Sequence, residues 1–117
     1  MRGRSLSGGR QPRVVPGVAR SSGRRQGLSA ERVEAEVRRQ GGLCALCLRP
    51  LGVHFAVDHD HLLAERHGHA PERGCERCFR AVVCHRCNAV LGWGRDDPAY
   101  FRRLADYVEL ARAGALR

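Results

Sequence analysis

Val33 and Val37 stand four apart in a stretch that Ser29 can cap and Gly41-Gly42 can stop, which predicts an amphipathic helix from Ala30 to about Gln40. Glu31 and Glu34 suit its positive end. The alternation at Phe55-Ala-Val57 predicts a short strand over residues 54–58, and Val82-Val83 centres a second one over residues 80–84. Between them, residues 62–79 read as a long polar loop broken by Gly68, Pro71 and Gly74. A short helix carrying Asn88, Val90 and Leu91 is expected after the second strand, ending at Gly92. The last helix, over residues 97–111, has the clearest pattern. Asp97 caps it, Pro98 opens its first turn, and Phe101, Leu104, Ala105 and Val108 form one apolar face, read here as core packing. Trp93, set between two glycines, also reads as a packing residue.

Met1 to Leu28 breaks this pattern. It is rich in Gly, Ser, Arg and Pro and has few large apolar residues, so it reads as a disordered tail, leaving residues 29–117 as one small domain. The net charge of +9 is concentrated there: residues 1–29 hold seven arginines and no acid, residues 30–117 fourteen arginines against twelve acids. A solvated tail is the plainer reading, and an arm that neutralises nucleic-acid phosphates is the alternative. All 21 basic residues are Arg; a base-composition bias explains that choice as well as phosphate binding does, but the positive charge itself favours a polyanionic partner. No apolar run approaches the ~20 residues that span a membrane, and Arg24-Arg25 is not followed by a hydrophobic stretch. A cytoplasmic protein with no membrane partner is therefore expected, and its six cysteines need an explanation other than disulfides.

Spacing supplies that explanation. Cys44/Cys47, Cys75/Cys78 and Cys84/Cys87 each enclose two residues, a gap that lets a tight turn aim both sulfurs at one metal. Two such turns complete a tetrahedral Zn²⁺ shell with no open position, so the metal would hold the fold. A small domain with few aromatic residues needs that help, and structural zinc contributes on the order of 10 kcal/mol or more. Spacing alone does not say which four cysteines combine. If Cys75 and Cys78 are left over, His67 and His69 just upstream offer them two imidazoles for a second Zn²⁺; plain exposure of the two histidines weighs equally.

Asp58-His59-Asp60-His61 is hard to explain by packing. On a strand, Asp58 and Asp60 would share one face and His59 and His61 the other, unless a bulge relaxes the separation. A histidine can act as a base near neutral pH, and carboxylates hold a hard cation such as Mg²⁺. Asn88, directly after Cys87, can add a neutral oxygen ligand. Together these are the parts needed to hydrolyse a phosphodiester, with Arg80 or Arg86 available for a neighbouring phosphate.

The ordered set Cys-x2-Cys, Val57-Asp-His-Asp-His61 and Arg80-Ala-Val-Val-Cys-His-Arg-Cys-Asn88, followed by a helix, resembles the recombination endonuclease VII family of HNH, or ββα-metal, nucleases over roughly residues 30–111. The resemblance implies a zinc on Cys44, Cys47, Cys84 and Cys87, a catalytic Mg²⁺ on Asp58 and Asn88, His59 as general base and His61 as an assisting residue. It implies a zinc-stabilised α+β domain, a ββα-metal finger with flanking helices, that cuts DNA, with branched or nicked substrates and a homodimer left open. Three departures bear on this. The 62–79 segment is longer than in compact members and adds Cys75/Cys78; Leu91 and Ala56 stand where the phage junction-resolving member has Glu and His; and little chain follows the last helix. Junction specificity does not follow from the resemblance. The alternative is a zinc-dependent DNA-binding module that has lost catalysis.

Overall fold

A two-residue glycine break decides how the first helix meets the rest of the chain. In the computed structural model, which describes residues 27–69 and 75–116, helix α1 (Ala30–Arg39) starts at Ser29, whose Oγ accepts from Arg32 N at 3.1 Å. Gly41 and Gly42 then take φ of +68° and +77°, left-handed values open to glycine without strain, and turn the chain back. Val33 and Val37 are buried as their spacing predicts. Glu36 is buried beside them because Arg32 and Arg39 both pair with its carboxylate.

Strands β1 (Ala56–His59) and β2 (Phe79–Val83) form one antiparallel pair, with helix α2 (His61–Arg66) inserted between them in sequence. Helices α3 (His85–Trp93) and α4 (Pro98–Arg112) follow. Among the described residues this is a small α+β arrangement of four helices and a two-stranded sheet. Gln40 closes one edge of the sheet. Its Oε1 accepts from Val82 N at 2.9 Å, while its Nε2 donates to Val82 O at 2.9 Å and to Leu43 O at 2.8 Å. One side chain thus satisfies strand groups that would otherwise be buried unpaired. The core gathers Leu28, Val33, Val37, Cys44, Leu51, Phe55, Val57, Val82 and Val83. Leu28, the last residue of the expected tail, lies in it, whereas residues 1–26 of that tail fall outside the described residues.

Three expectations are corrected. Residues 61–66 are helical because Asp60 Oδ1 accepts from Leu63 N at 3.0 Å and so caps a run of good helix formers, Leu62 to Arg66. Helix α4 buries no residue: Leu104 and Val108 remain 42% and 43% exposed, since α1, the first cysteine turn and the hairpin already fill the core. Phe101 of this helix lies against Gly94, where an added Cβ would fall 2.3 Å from Phe101 Cε1. Trp93, at the end of α3, is 87% exposed and packs nothing.

Candidate active site

The hairpin carries an irregularity where the chemistry-bearing residues begin. Asp58 pairs with Ala81 but His59 pairs with Phe79, leaving Arg80 as the extra residue on β2. A bulge of this kind bends a strand and redirects its side chains. The Arg80 guanidinium lies across three carboxylates. Its Nε donates to Asp58 Oδ2 at 2.7 Å and its Nη2 to Asp58 Oδ1 at 3.0 Å, a two-pronged grip on one carboxylate. Nη2 also donates to Asp96 Oδ1 at 3.2 Å, and Nη1 stands 3.6 Å from Asp60 Oδ2. Burial opposes the charge on Arg80, but the Asp58 and Asp96 carboxylates outweigh it and hold the guanidinium above its ordinary range. Asp96 Oδ2 is buried and has no hydrogen-bond partner among the described residues.

Asp58 on β1 and Asp60, the cap of α2, share Arg80. The rings of His59 and His61 meet with centroids 4.7 Å apart. Both sets nevertheless open onto one cleft of about 720 Å³, which Asn88, Leu91 and Asp96 also line. Asn88 reaches it from α3, where its N–H bonds to Cys84 O at 3.0 Å. Asp58 and His59 are buried and Asn88 is exposed, so the cleft runs from a buried strand end to an open helix face. Arg86 does not line it. Asp96 and Glu65 line it unanticipated. Asp60 as a helix cap was the sequence signal for Glu65, which sits one turn into α2. Asp96 carried no such signal, because it follows Arg95 in a pair of left-handed residues, each with φ of 54°, that only the folded turn specifies.

The cysteines form two groups. The Sγ atoms of Cys44, Cys47, Cys84 and Cys87 all lie within 4.8 Å of one another. Cys47 and Cys84 Sγ are 3.9 Å apart, close to the roughly 3.8 Å that a tetrahedral zinc with 2.3 Å bonds sets between thiolates. The backbone N–H groups of Leu46 and Cys84 point at Cys44 Sγ at 3.4 and 3.3 Å. Burial alone would raise the Cys44 thiol, but the N–H donors of Cys47, Cys84 and Leu46 outweigh it and bring it down to about 6. Cys84 caps α3 and accepts from Cys87 N, which lowers its thiol too. Cys87 is pushed up to about 12 by burial and then by the sulfurs crowded against it. That crowding is what a cation placed among the four would relieve.

The second group is His67, His69, Cys75 and Cys78, with ligand atoms again within 4.8 Å of one another. Hydrogen bonds from Cys78 and then His69 hold the Cys75 thiol down at about 5. The structure thus brings together both sets of four that the sequence offered, and each could hold a metal ion. Among the described residues no helix is long and apolar enough to cross a membrane.

Comparisons with known proteins point the same way. The chain is 33% identical over 72 residues to the Gene 59 protein of Mycobacterium phage L5, an alignment covering 59% of this chain and 36% of that protein. It therefore spans about a third of that relative's length. No solved structure matches the chain. The family profile of recombination endonuclease VII matches residues 19–110, most of the sequence, and the chain belongs to that family.

Proposed function

We propose that this protein is a metal-dependent endonuclease that hydrolyses phosphodiester bonds in DNA, with β1, β2 and α3 as a ββα-metal finger of the HNH type. The observation that carries the proposal is the convergence of Asp58, His59, Asp60 and His61, at the end of β1 and the start of α2, with Asn88 from α3, all on one cleft. The oxygen donors of Asp58, Asp60 and Asn88 fit a hard cation. Asp58 and Asn88 would hold Mg²⁺, which when bound neutralises phosphate charge and makes a nearby water more acidic.

The remaining work falls to the chain's own side chains. His59 takes the proton of the attacking water as the new O–P bond forms and the bond to the leaving sugar oxygen breaks. Its ring is held in place by burial and by the neighbouring His61 ring, which would assist at the phosphate. Arg80 neutralises Asp58 and already reaches Asp96, so its fork would remain paired there if a cation took Asp58. A zinc on Cys44, Cys47, Cys84 and Cys87 would hold α3, and with it Asn88, against the first cysteine turn.

A second reading, a DNA-binding zinc module without catalysis, draws on Leu91, which lines the cleft as an apolar residue, and on Arg80 filling both oxygens of Asp58. Nicking of supercoiled plasmid by the purified chain separates the two. The nuclease cuts with Mg²⁺ and stops when a chelator removes it. A zinc-loaded, folded chain that binds DNA and never cuts is the module.

A further inference from the structure

The nuclease chemistry leaves His67, His69, Cys75 and Cys78 unused, and we infer that they form a second, structural zinc site that fixes the segment inserted between β1 and β2. Four side chains from two short stretches place one imidazole or thiol atom each around a common centre. His67 Nδ1 lies 3.3 Å from Cys75 Sγ and 3.1 Å from Cys78 Sγ; His69 Nε2 lies 3.5 Å from Cys78 Sγ. A tetrahedral zinc separates its nitrogen and sulfur ligands by about 3.6 Å, so these three distances need only a few tenths of an ångström to fit. The two sulfurs, 3.1 Å apart, must open further, toward about 3.8 Å.

The donor set selects the ion. Two thiolates and two imidazoles suit zinc and not magnesium or calcium, which take oxygen ligands. Four protein ligands also leave no position for water, so this ion would brace structure and perform no reaction. The backbone is already arranged for ligation. Cys78 N and Phe79 N both donate to Cys75 O at 3.0 Å, forming the tight turn that a two-residue gap between metal-binding cysteines requires. His67 is the C-cap of α2, its N–H bonded to Leu63 O at 2.9 Å, so one ligand is rooted in a helix end.

What the ion would hold follows from these anchors. Asp60 N donates to Cys78 O at 2.9 Å, joining the start of α2 to the cysteine turn. A zinc on His67 then ties the end of α2 to the same turn. Helix α2 lines the cleft with His61, Leu62 and Glu65. The second zinc would therefore set the part of the cleft lined by α2, while the four-cysteine group holds α3, which lines it with Asn88 and Leu91.

The site does not depend on the nuclease reading, since its test reads metal and protease sensitivity and not cleavage of DNA. Full-length protein purified with zinc should contain two zinc ions per chain by elemental analysis. Cys75→Ser and His67→Ala should each contain one and keep their helical circular dichroism. Both should become cut by trypsin at Arg66 and Arg77, where the wild type resists. Should either variant fail to fold, the wild type still decides: a chelating dye should remove one zinc equivalent quickly without loss of helix signal and the second only with unfolding. One zinc per wild-type chain, or two retained in both variants, overturns the proposal.

Discussion

The two cysteine groups look alike in sequence and differ in what they join. The four-cysteine group links turns 37 residues apart, across Cys47 and Cys84, and its Cys44 is wholly buried within the apolar core. The His67/His69/Cys75/Cys78 group closes a short insertion, although burial is alike in the two groups, with Cys78 as fully buried as Cys44 and the other three ligands half-buried in each. Crossing a long stretch of chain removes more freedom from the unfolded state than closing a short one. A metal in the first group therefore supports the whole fold, and a metal in the second supports the part of the cleft lined by α2. The same ligand chemistry yields a global or a local effect according to where in the chain the ligands lie.

Breaking the first group should give the largest effect. Cys84→Ser removes a ligand and the thiolate that caps α3, so zinc content should fall and the cooperative thermal transition should disappear, a loss on the order of 10 kcal/mol. A zinc-free Cys84→Ser protein that melts like the wild type would erase the contrast between the groups.

The cleft between them gives the next largest. Arg80→Ala leaves the Asp58 carboxylate, 8% exposed, without its partner. We expect a loss of about 2 kcal/mol in the absence of divalent cation, reduced from the value for a fully buried pair because Arg80 is a third exposed. Adding Mg²⁺ should then raise the melting temperature of Arg80→Ala more than that of the wild type, because no guanidinium competes for Asp58. Equal shifts in the two proteins would show that Arg80 and the cation do not share a site.

The smallest effect concerns the bridge from the core to the second group. Arg32 donates to Glu36 at 3.2 Å and to Glu76, inside the Cys75–Cys78 turn, at 3.0 Å, and lies 4.8 Å from the centre of the Phe79 ring. The Arg39 hydrogen bond holds the Glu36 carboxyl below its ordinary value; burial works against this, and Arg32 adds to it. A carboxyl lowered by folding stabilises the protein above its unfolded pKa, and that contribution is lost as pH falls through the lower folded value. Glu36→Gln should therefore be less stable than the wild type by about 1 kcal/mol at pH 7, with the gap closing below about pH 4. Thermal melts of both proteins at the same pH cancel the acid lability of the cysteine groups. A gap that stays constant with pH would remove Glu36 from the bridge.

Much of this was legible in the residues themselves. The resemblance chose the four-cysteine group that spacing had left open, His67 and His69 beside Cys75/Cys78 marked the second, and Asp58-His59-Asp60-His61 stood out as a chemical cluster although only its first two residues lie on the strand. Helix ends at Ser29 and Asp97 were readable because capping is a local property of side chain and backbone. What failed was tertiary. The α4 pattern records an apolar face but not whether anything covers it, and among the described residues nothing buries it. Asp60 was read for its chemistry and not as a cap, which concealed α2. The bulge that turns Arg80 onto Asp58 depends on strand register, and Asp96 joins it only through a turn of two left-handed residues.

The most direct test of the central claim is the rate of Mg²⁺-dependent plasmid nicking by His59→Ala beside the wild type, with zinc content and DNA binding measured on the same samples. The account predicts that nicking is lost, by a factor of at least about 100, while zinc content and DNA binding stay at wild-type levels. A His59→Ala protein that nicks at the wild-type rate would contradict it.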